Sequence, residues 1–162
     1  MPPSVDIIEE SPLWAAFSGL RAVIVNAVAA VAAYPAMAMA MRGDEEVTVA
    51  LMDDRSIAEL NRRWRKISAP TNVLSFPAAP NARYDGLRPL GDIALSFETI
   101  EREARAGGKT INDHVAHLVA HAMLHLLGYD HITDRDAAHM EALEVAILAT
   151  MGVADPYETE AA

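Results

Sequence analysis

The chain has 162 residues, a formal net charge of −10 and no cysteine. This length suits a single domain that buries a core of its own. Without thiols the chain forms no disulfides and offers no cysteine nucleophile or thiolate metal ligand, so histidine and carboxylate side chains are its strong metal ligands.

The N-terminal segment, residues 1–42, is predicted to be helical. Its pattern favours a long buried helix from Pro12 to about Ala33, which ends before Pro35 because proline cannot donate the hydrogen bond of a helix interior. Residues 23–41 are long enough to span a bilayer, but they are rich in weakly hydrophobic alanine and Pro35 interrupts them. The start lacks the positive region of a signal peptide. We therefore expect a cytoplasmic protein without membrane contact.

Short strands and helices alternate after this segment. The apolar patterns predict strands over 47–52, 73–76 and 91–96. Capping and breaking residues predict helices from Asp53 or Asp54 to about Trp64, from Ser96 to Gly107, from Ile111 to Leu127 and from Asp134 to about Met151. This order predicts one domain of the α/β (α+β) class over residues 1–162, in which about five helices cover a small, mostly four-stranded mixed sheet.

Two smaller expectations concern exposure. Trp64 shares helical spacing with Ile57 and Leu60, so we expect its indole in the core rather than on a substrate surface. The tail, residues 155–162, is acidic and is expected to be loose.

Three histidines close together predict a metal site. His121 and His125 are four residues apart, so on a helix they lie on one face. Gly128 can take the left-handed conformation, end that helix and turn the chain back, which allows His131 to join them. Three imidazoles with one open position are typical of catalytic zinc, whereas structural zinc usually has four protein ligands. Nickel, cobalt and copper also suit imidazole.

The same spacing occurs in metzincin proteases, but one position differs. Those proteases carry a glutamate after the first histidine as general base. This chain has Ala122 there, which argues against peptide hydrolysis by that route. The other histidines, His114, His117 and His139, are expected to pack rather than to bind metal.

Positive charge is concentrated between residues 55 and 88. This segment carries seven basic and two acidic residues in a chain whose net charge is −10. Such a segment forms either a local anion-binding surface or a solvated helix face that carries arginine, and charge alone does not separate the two.

Several motifs together resemble the YbeY family of rRNA maturation factors. The resemblance rests on residues 64–65 with 70–77, on residues 90–93 and on residues 121–131, and it extends to Met140–Glu141 and 155–157. It covers roughly residues 45–158. The Gly-Tyr-Asp-His ending of the histidine motif is not shared by the proteases.

The resemblance implies a zinc-dependent, single-strand-specific endoribonuclease. Such an enzyme matures the 3′ end of small-subunit (16S) rRNA and acts in ribosome quality control, with precursor rRNA, the small subunit and assembly factors as partners. The resemblance places the metal ligands on His121, His125 and His131, and the functional arginine on Arg65. The chain departs from the family pattern at Ala122 and Lys66, where glycine is common.

Further site residues are assigned by their chemistry. Arg65 can hold a phosphate with its planar fork of donors, and Arg63 and Lys66 add positive charge. Three small polar residues of the motif at 70–77 either line the substrate groove or serve as turn and cap residues: Thr71, Asn72 and Ser75. Two carboxylates are candidates to orient a ligating imidazole, with a cap or turn role as the alternative: Asp92 and Asp130.

The sequence leaves the nucleophile and two other functions open. A water nucleophile could leave a 5′-phosphate, whereas attack by the RNA's own 2′-hydroxyl leaves a 2′,3′-cyclic phosphate. The alternative functions are a non-catalytic ribosome assembly factor with a structural metal and a zinc hydrolase of another substrate. The three-ligand pattern argues against the first, and Ala122 argues against a protease.

Overall fold

Four strands form one mixed sheet in the order β1-β2-β4-β3 within residues 1–17 and 19–158, which are the residues that the computed structural model describes. The strands are β1 (Ser4–Glu9), β2 (Glu45–Met52), β3 (Val73–Pro77) and β4 (Arg88–Ser96). β1, β2 and β4 are parallel, and β3 pairs antiparallel with β4. The predicted fold class, a small mixed sheet covered by helices, is confirmed.

Six α-helices accompany the sheet in the described residues. They are α1 (Leu20–Ala33), α2 (Pro35–Ala38), α3 (Asp54–Arg65), α4 (Phe97–Ala106), α5 (Ile111–Leu126) and α6 (Asp134–Thr150). Side-chain oxygens cap three of them, because Asp53, Thr110 and Thr133 each accept a backbone hydrogen bond from the first turn of α3, α5 and α6.

The main core lies on one face of the sheet. Val47, Val49 and Leu51 alternate along β2 and are buried on this face, as period-two patterning predicts. α5 packs across it, and α1, α4 and α6 pack against α5. None of the helices in the described part of the chain is both long and apolar enough to span a membrane.

The other face of the sheet is only partly covered. Ile57 and Leu60 of α3 pack against Leu74 and Ala94 there. Beyond α3 this face forms a groove of about 650 Å³, here named the sheet groove, whose lining includes Ile8, Thr48, Ala50, Phe76 and Asp92.

Two features of the N-terminal segment differ from the prediction. Residues 1–42 are not wholly helical, because Ser4–Glu9 forms the edge strand β1. The helix predicted from Pro12 is a 3₁₀ helix (Pro12–Ala16) followed by α1 from Leu20. β1 is held by parallel pairing with β2, about forty residues later in the chain, and such non-local pairing leaves little trace in a short local pattern.

Gly91 lies where β3, β4 and α5 approach most closely. Its φ is +143°, and a Cβ at this position would lie 2.3 Å from the carbonyl oxygen of Phe76 and 2.8 Å from Cδ2 of Leu126. We therefore expect Gly91→Ala to lower the free energy of unfolding by at least about 2 kcal/mol, because the backbone of β3 must move. Urea unfolding followed by circular dichroism measures this change.

Gly86→Ala is the matched control. Gly86 also has a positive φ, +77°, but a Cβ there would meet no atom within 4 Å. This variant should lose only about 1 kcal/mol, from backbone conformation alone. Equal losses in the two variants would contradict the close approach of β3 and α5 at Gly91.

Candidate metal centre

The end of α5 places three histidines together. His121 and His125 lie one turn apart on the helix, which ends at Leu126 with Leu127 as its C-cap. Gly128 follows with a φ of +98°, and the backbone N–H of Tyr129 donates to the carbonyl of Leu124 at 3.0 Å, the hydrogen bond of a Schellman motif. The chain turns back and brings His131 to the other two rings, as the sequence predicts.

The geometry of the three rings suits a single metal ion. Nε2 of His121 and Nε2 of His125 lie 3.1 Å apart, close to the roughly 3.3 Å expected between two nitrogens on one tetrahedral zinc ion. One ligand nitrogen from each of His121, His125 and His131 fits within a mutual distance of 4.8 Å. His131 is exposed, so the centre is open to solvent on its side.

The charge state of His125 also favours metal binding. Burial, together with the neighbouring rings of His121 and His131, lowers the pKa of His125 below its ordinary value. A lowered pKa keeps the ring neutral at pH 7, and only a neutral imidazole offers a lone pair to a metal.

Glu144 on α6 orients His121, the first of the three histidines. Its carboxylate is fully buried and accepts hydrogen bonds from Nδ1 of His121 and from the hydroxyl of Tyr157. Burial by itself raises the pKa of Glu144, but the hydrogen bonds from His117, His121 and Tyr157 outweigh it and lower the pKa to about 2. The ionised carboxylate holds the proton of His121 on Nδ1 and leaves the lone pair on Nε2.

The two carboxylates expected in this orienting role lie elsewhere. Asp92 is exposed on β4 and lines the sheet groove, on the face opposite α5. The carboxylate of Asp130 accepts a hydrogen bond from the backbone N–H of Ile132 at 3.3 Å, which is a turn contact. The sequence carried one signal for Glu144: it is a carboxylate in the apolar stripe of α6, between Leu143 and Ile147.

The remaining histidines make other contacts. Nε2 of His114 donates to Glu103 at 2.8 Å, and His139 packs its ring against Tyr129. His117 lies beside Glu144, with 3.5 Å between Nε2 and Oε2. His117, His121 and Glu144 also have ligand atoms within 4.8 Å, but the direct hydrogen bond from His121 to Glu144 occupies the space between them.

The tail is not loose where it reaches the centre. Besides its hydrogen bond to Glu144, Tyr157 packs its ring edge-on against His117, with 5.5 Å between ring centroids. The backbone N–H of Tyr157 donates to Asp155 at 2.8 Å. Residues 159–162 of the predicted loose tail lie outside the described residues.

The histidines open into a cleft of about 520 Å³, here named the histidine cleft. Its lining comprises Trp64, Arg65, residues 72–76, His121, Ala122, His125 and His131. Arg65, the last residue of α3, therefore faces the same space as the three imidazoles. Ala122 occupies the wall where a metzincin carries its glutamate, so no proton acceptor is present at that position.

The predicted substrate-binding residues divide into two groups. Ser75 and Asn72 line the histidine cleft, whereas Arg63, Lys66 and Thr71 lie outside its lining among the described residues. The amide of Asn72 is already engaged, since Nδ2 donates to Glu103 at 2.9 Å and Oδ1 accepts from the N–H of Val73 at 2.7 Å. Asn72 therefore lines the cleft and also makes hydrogen bonds that fix the chain before β3.

The expectation that Trp64 is a core residue is wrong. Trp64 is 64% exposed and borders both the histidine cleft and the sheet groove. Trp64 lies in the last turn of α3, beyond the point where Ile57 and Leu60 contact the sheet. Helical spacing predicted the face of α3 that Trp64 shares with Ile57 and Leu60, but not that its indole stays exposed there.

The fold and the centre together define a class of protein: a small mixed-sheet domain with an open three-histidine site beside an arginine. The family model for endoribonuclease YbeY matches residues 16–152. A relative named endoribonuclease YbeY from Methylocella silvestris is 43% identical, over 98% of this chain and 88% of its own. One of the same name from Rhodopseudomonas palustris is 46% identical, over 97% and 91%.

A solved structure supports the fold. A Thermotoga maritima protein with a solution structure aligns with a TM-score of 0.53 at 23% identity, over 96% of this chain and 99% of its own. With the family match and the close relatives, the result is plain: this chain belongs to the endoribonuclease YbeY family.

Glu144→Gln tests the orienting role of the buried carboxylate. We expect the affinity for zinc to fall about 10- to 100-fold, because the neutral amide no longer fixes the tautomer of His121 through a charged hydrogen bond. Competition with a chromogenic chelator at pH 7 measures the affinity. Glu10→Gln, the same exchange at an exposed position after β1, should bind zinc like the wild type, and equal affinities for all three proteins would disprove the role.

Proposed function

We propose that this protein is a zinc-dependent endoribonuclease that cuts single-stranded RNA. Its substrate would be the 3′ end of the 16S rRNA precursor, with a role in ribosome quality control at the small subunit in the cytoplasm. One observation carries the proposal: Arg65 and the three-histidine centre line the same open cleft. The names of the close relatives support the reaction.

The donor set supports zinc as the metal. His121, His125 and His131 would hold the ion, and an all-imidazole set with an open side is typical of catalytic zinc. A bound zinc ion supplies Lewis-acid chemistry, since it polarises a phosphoryl oxygen and lowers the pKa of coordinated water to about 7. Glu144 keeps Nε2 of His121 free for this role.

Arg65 would bind and orient the scissile phosphate. Its guanidinium has two parallel donors for two phosphate oxygens, a geometry that lysine does not reproduce. Arg63 and Lys66 flank Arg65 on the exposed end of α3 and would add positive charge along the RNA backbone. Ser75, on the cleft wall, offers a hydroxyl for a neutral hydrogen bond.

Two nucleophiles are compatible with these residues. Ala122 supplies no base, and Glu144 is buried behind His121, so neither side chain takes a proton from the attacking group. The attacking oxygen is then either water or the 2′-hydroxyl of the RNA itself. A 5′-phosphate product would identify water, and a 2′,3′-cyclic phosphate would identify the 2′-hydroxyl.

Arg65→Glu separates phosphate binding from metal binding. We expect cleavage of a 16S 3′-precursor RNA to fall at least about 100-fold, since a group that stabilises the reacting phosphate is replaced by one that repels it. Zinc content, measured by elemental analysis, should not change. His125→Ala should lose both zinc and cleavage.

Arg105→Glu controls for the change of charge. Arg105 is an exposed arginine on α4, with its side chain 82% exposed. Its replacement should leave cleavage within about twofold of the wild type. If Arg65→Glu also cleaves at the wild-type rate, Arg65 does not bind the phosphate. If the zinc-loaded wild type leaves RNA intact, the endoribonuclease proposal fails.

A further inference from the structure

Trp64 has an exposure that folding alone does not explain. The chain has two tryptophans, and Trp14 is 3% exposed whereas Trp64 is 64% exposed. A single exposed aromatic side chain is common on a protein surface, but this indole also borders the histidine cleft beside Arg65, where a ligand of the centre would lie. Trp64 is therefore a surface residue that is available to contact a ligand.

The indole is held in place without being covered. Its ring lies against Phe76 of β3, with 6.1 Å between centroids and 57° between planes. Its backbone belongs to the last turn of α3, which Asp53 caps at the other end. A flat ring on a rigid element loses little conformational freedom when it binds a ligand.

The neighbouring charges select the kind of ligand. Arg65 follows Trp64 directly in the sequence, and both side chains line the histidine cleft. The last turn of α3 also carries Arg63, and Lys66 comes next, whereas the guanidinium of Arg62 is paired with Glu59. A ligand that matches this surface has a negative group and a flat ring close together, and a nucleotide has both.

We propose that Trp64 is the stacking platform for an unpaired base of the RNA, next to the phosphate that Arg65 binds. This proposal rests on the proposed function and adds a recognition element to the same cleft. Only an unpaired base presents its face to a side chain, since bases within a duplex are stacked on each other. Trp64 therefore favours single-stranded substrate without reading a particular base.

Trp64→Leu tests the stacking contact. Leucine keeps an apolar contact with Phe76 but offers no ring. We expect Kd for a 2′-O-methyl RNA oligonucleotide, and KM for the cleavable RNA, to rise roughly 5- to 150-fold, with kcat little changed. Trp64→Tyr keeps an aromatic face and should restore most of the affinity. Tyr84→Leu, at another exposed aromatic residue (68% exposed), should behave like the wild type.

An abasic scan separates stacking from a structural effect. A series of oligonucleotides, each lacking one base, should identify one position whose loss weakens binding to the wild type. The same loss should have no effect on Trp64→Leu, because the partner of that base is already gone. An equal abasic penalty in both proteins would overturn the proposal.

Fluorescence gives an independent reading. Trp14 is buried, so quenching by the 2′-O-methyl RNA should come from Trp64 and should be absent in Trp64→Phe. If Trp64→Leu binds and cleaves RNA like the wild type, stacking is excluded and the exposed indole is left to a protein partner. If the wild type binds no RNA at all, the proposed function and this inference fail together. If the wild type binds RNA and the Trp64 variants bind it equally well, only this inference fails.

Discussion

The end of helix α5 controls the geometry of the centre. His121 and His125 are placed by helical spacing, but His131 reaches them only because the helix stops at Leu126 and Gly128 takes a positive φ. The Schellman hydrogen bond from Tyr129 to Leu124 satisfies a terminal carbonyl and fixes the direction in which the chain leaves. One more helical turn would carry the third imidazole away from the other two.

The same helix links the centre to the core. α5 buries Val115, Val119 and Met123 against the sheet and α1, while its other side presents the histidines to the cleft. Glu144 adds a second link, because an ionised carboxylate with no exposed surface is stable only when its oxygens are paired. His121 and Tyr157 supply those donors, so Glu144 ties α6 to one of the three histidines and to the C-terminal segment.

Local sequence patterns predicted the features of the fold that depend on interactions between residues close together in the chain. The extent of α5, the turn at Gly128, the capping by Asp53 and the alternation of β2 all follow from residues close together in the chain. The misses are non-local. β1 depends on its pairing with β2, the role of Glu144 depends on the approach of α6 to α5, and the exposure of Trp64 depends on which distant residues pack over the last turn of α3.

The two carboxylates that the sequence predicted to orient an imidazole show this limit of local patterns most clearly. Asp130 directly precedes His131, and Asp92 lies in the motif at residues 90–93. In the structure, however, Asp92 faces the opposite side of the sheet. A strand alternates its side chains between faces, so a shift of one residue decides whether a carboxylate meets α5 or the sheet groove. Proximity in sequence therefore carries little information about which carboxylate contacts an imidazole.

The position of the carboxylate also bears on the chemistry. In a metzincin the glutamate next to the first histidine faces the substrate, whereas here Ala122 faces the cleft and the carboxylate near His121 is buried behind its Nδ1. A base that water and substrate cannot reach takes no proton from either. The charged group that the cleft does present is the guanidinium of Arg65, which attracts an anion and has no partner in a neutral peptide bond. Although this chain shares its three-histidine spacing with the metzincins, its cleft favours a phosphodiester substrate, because the described cleft lining has no acidic base and carries the cation of Arg65.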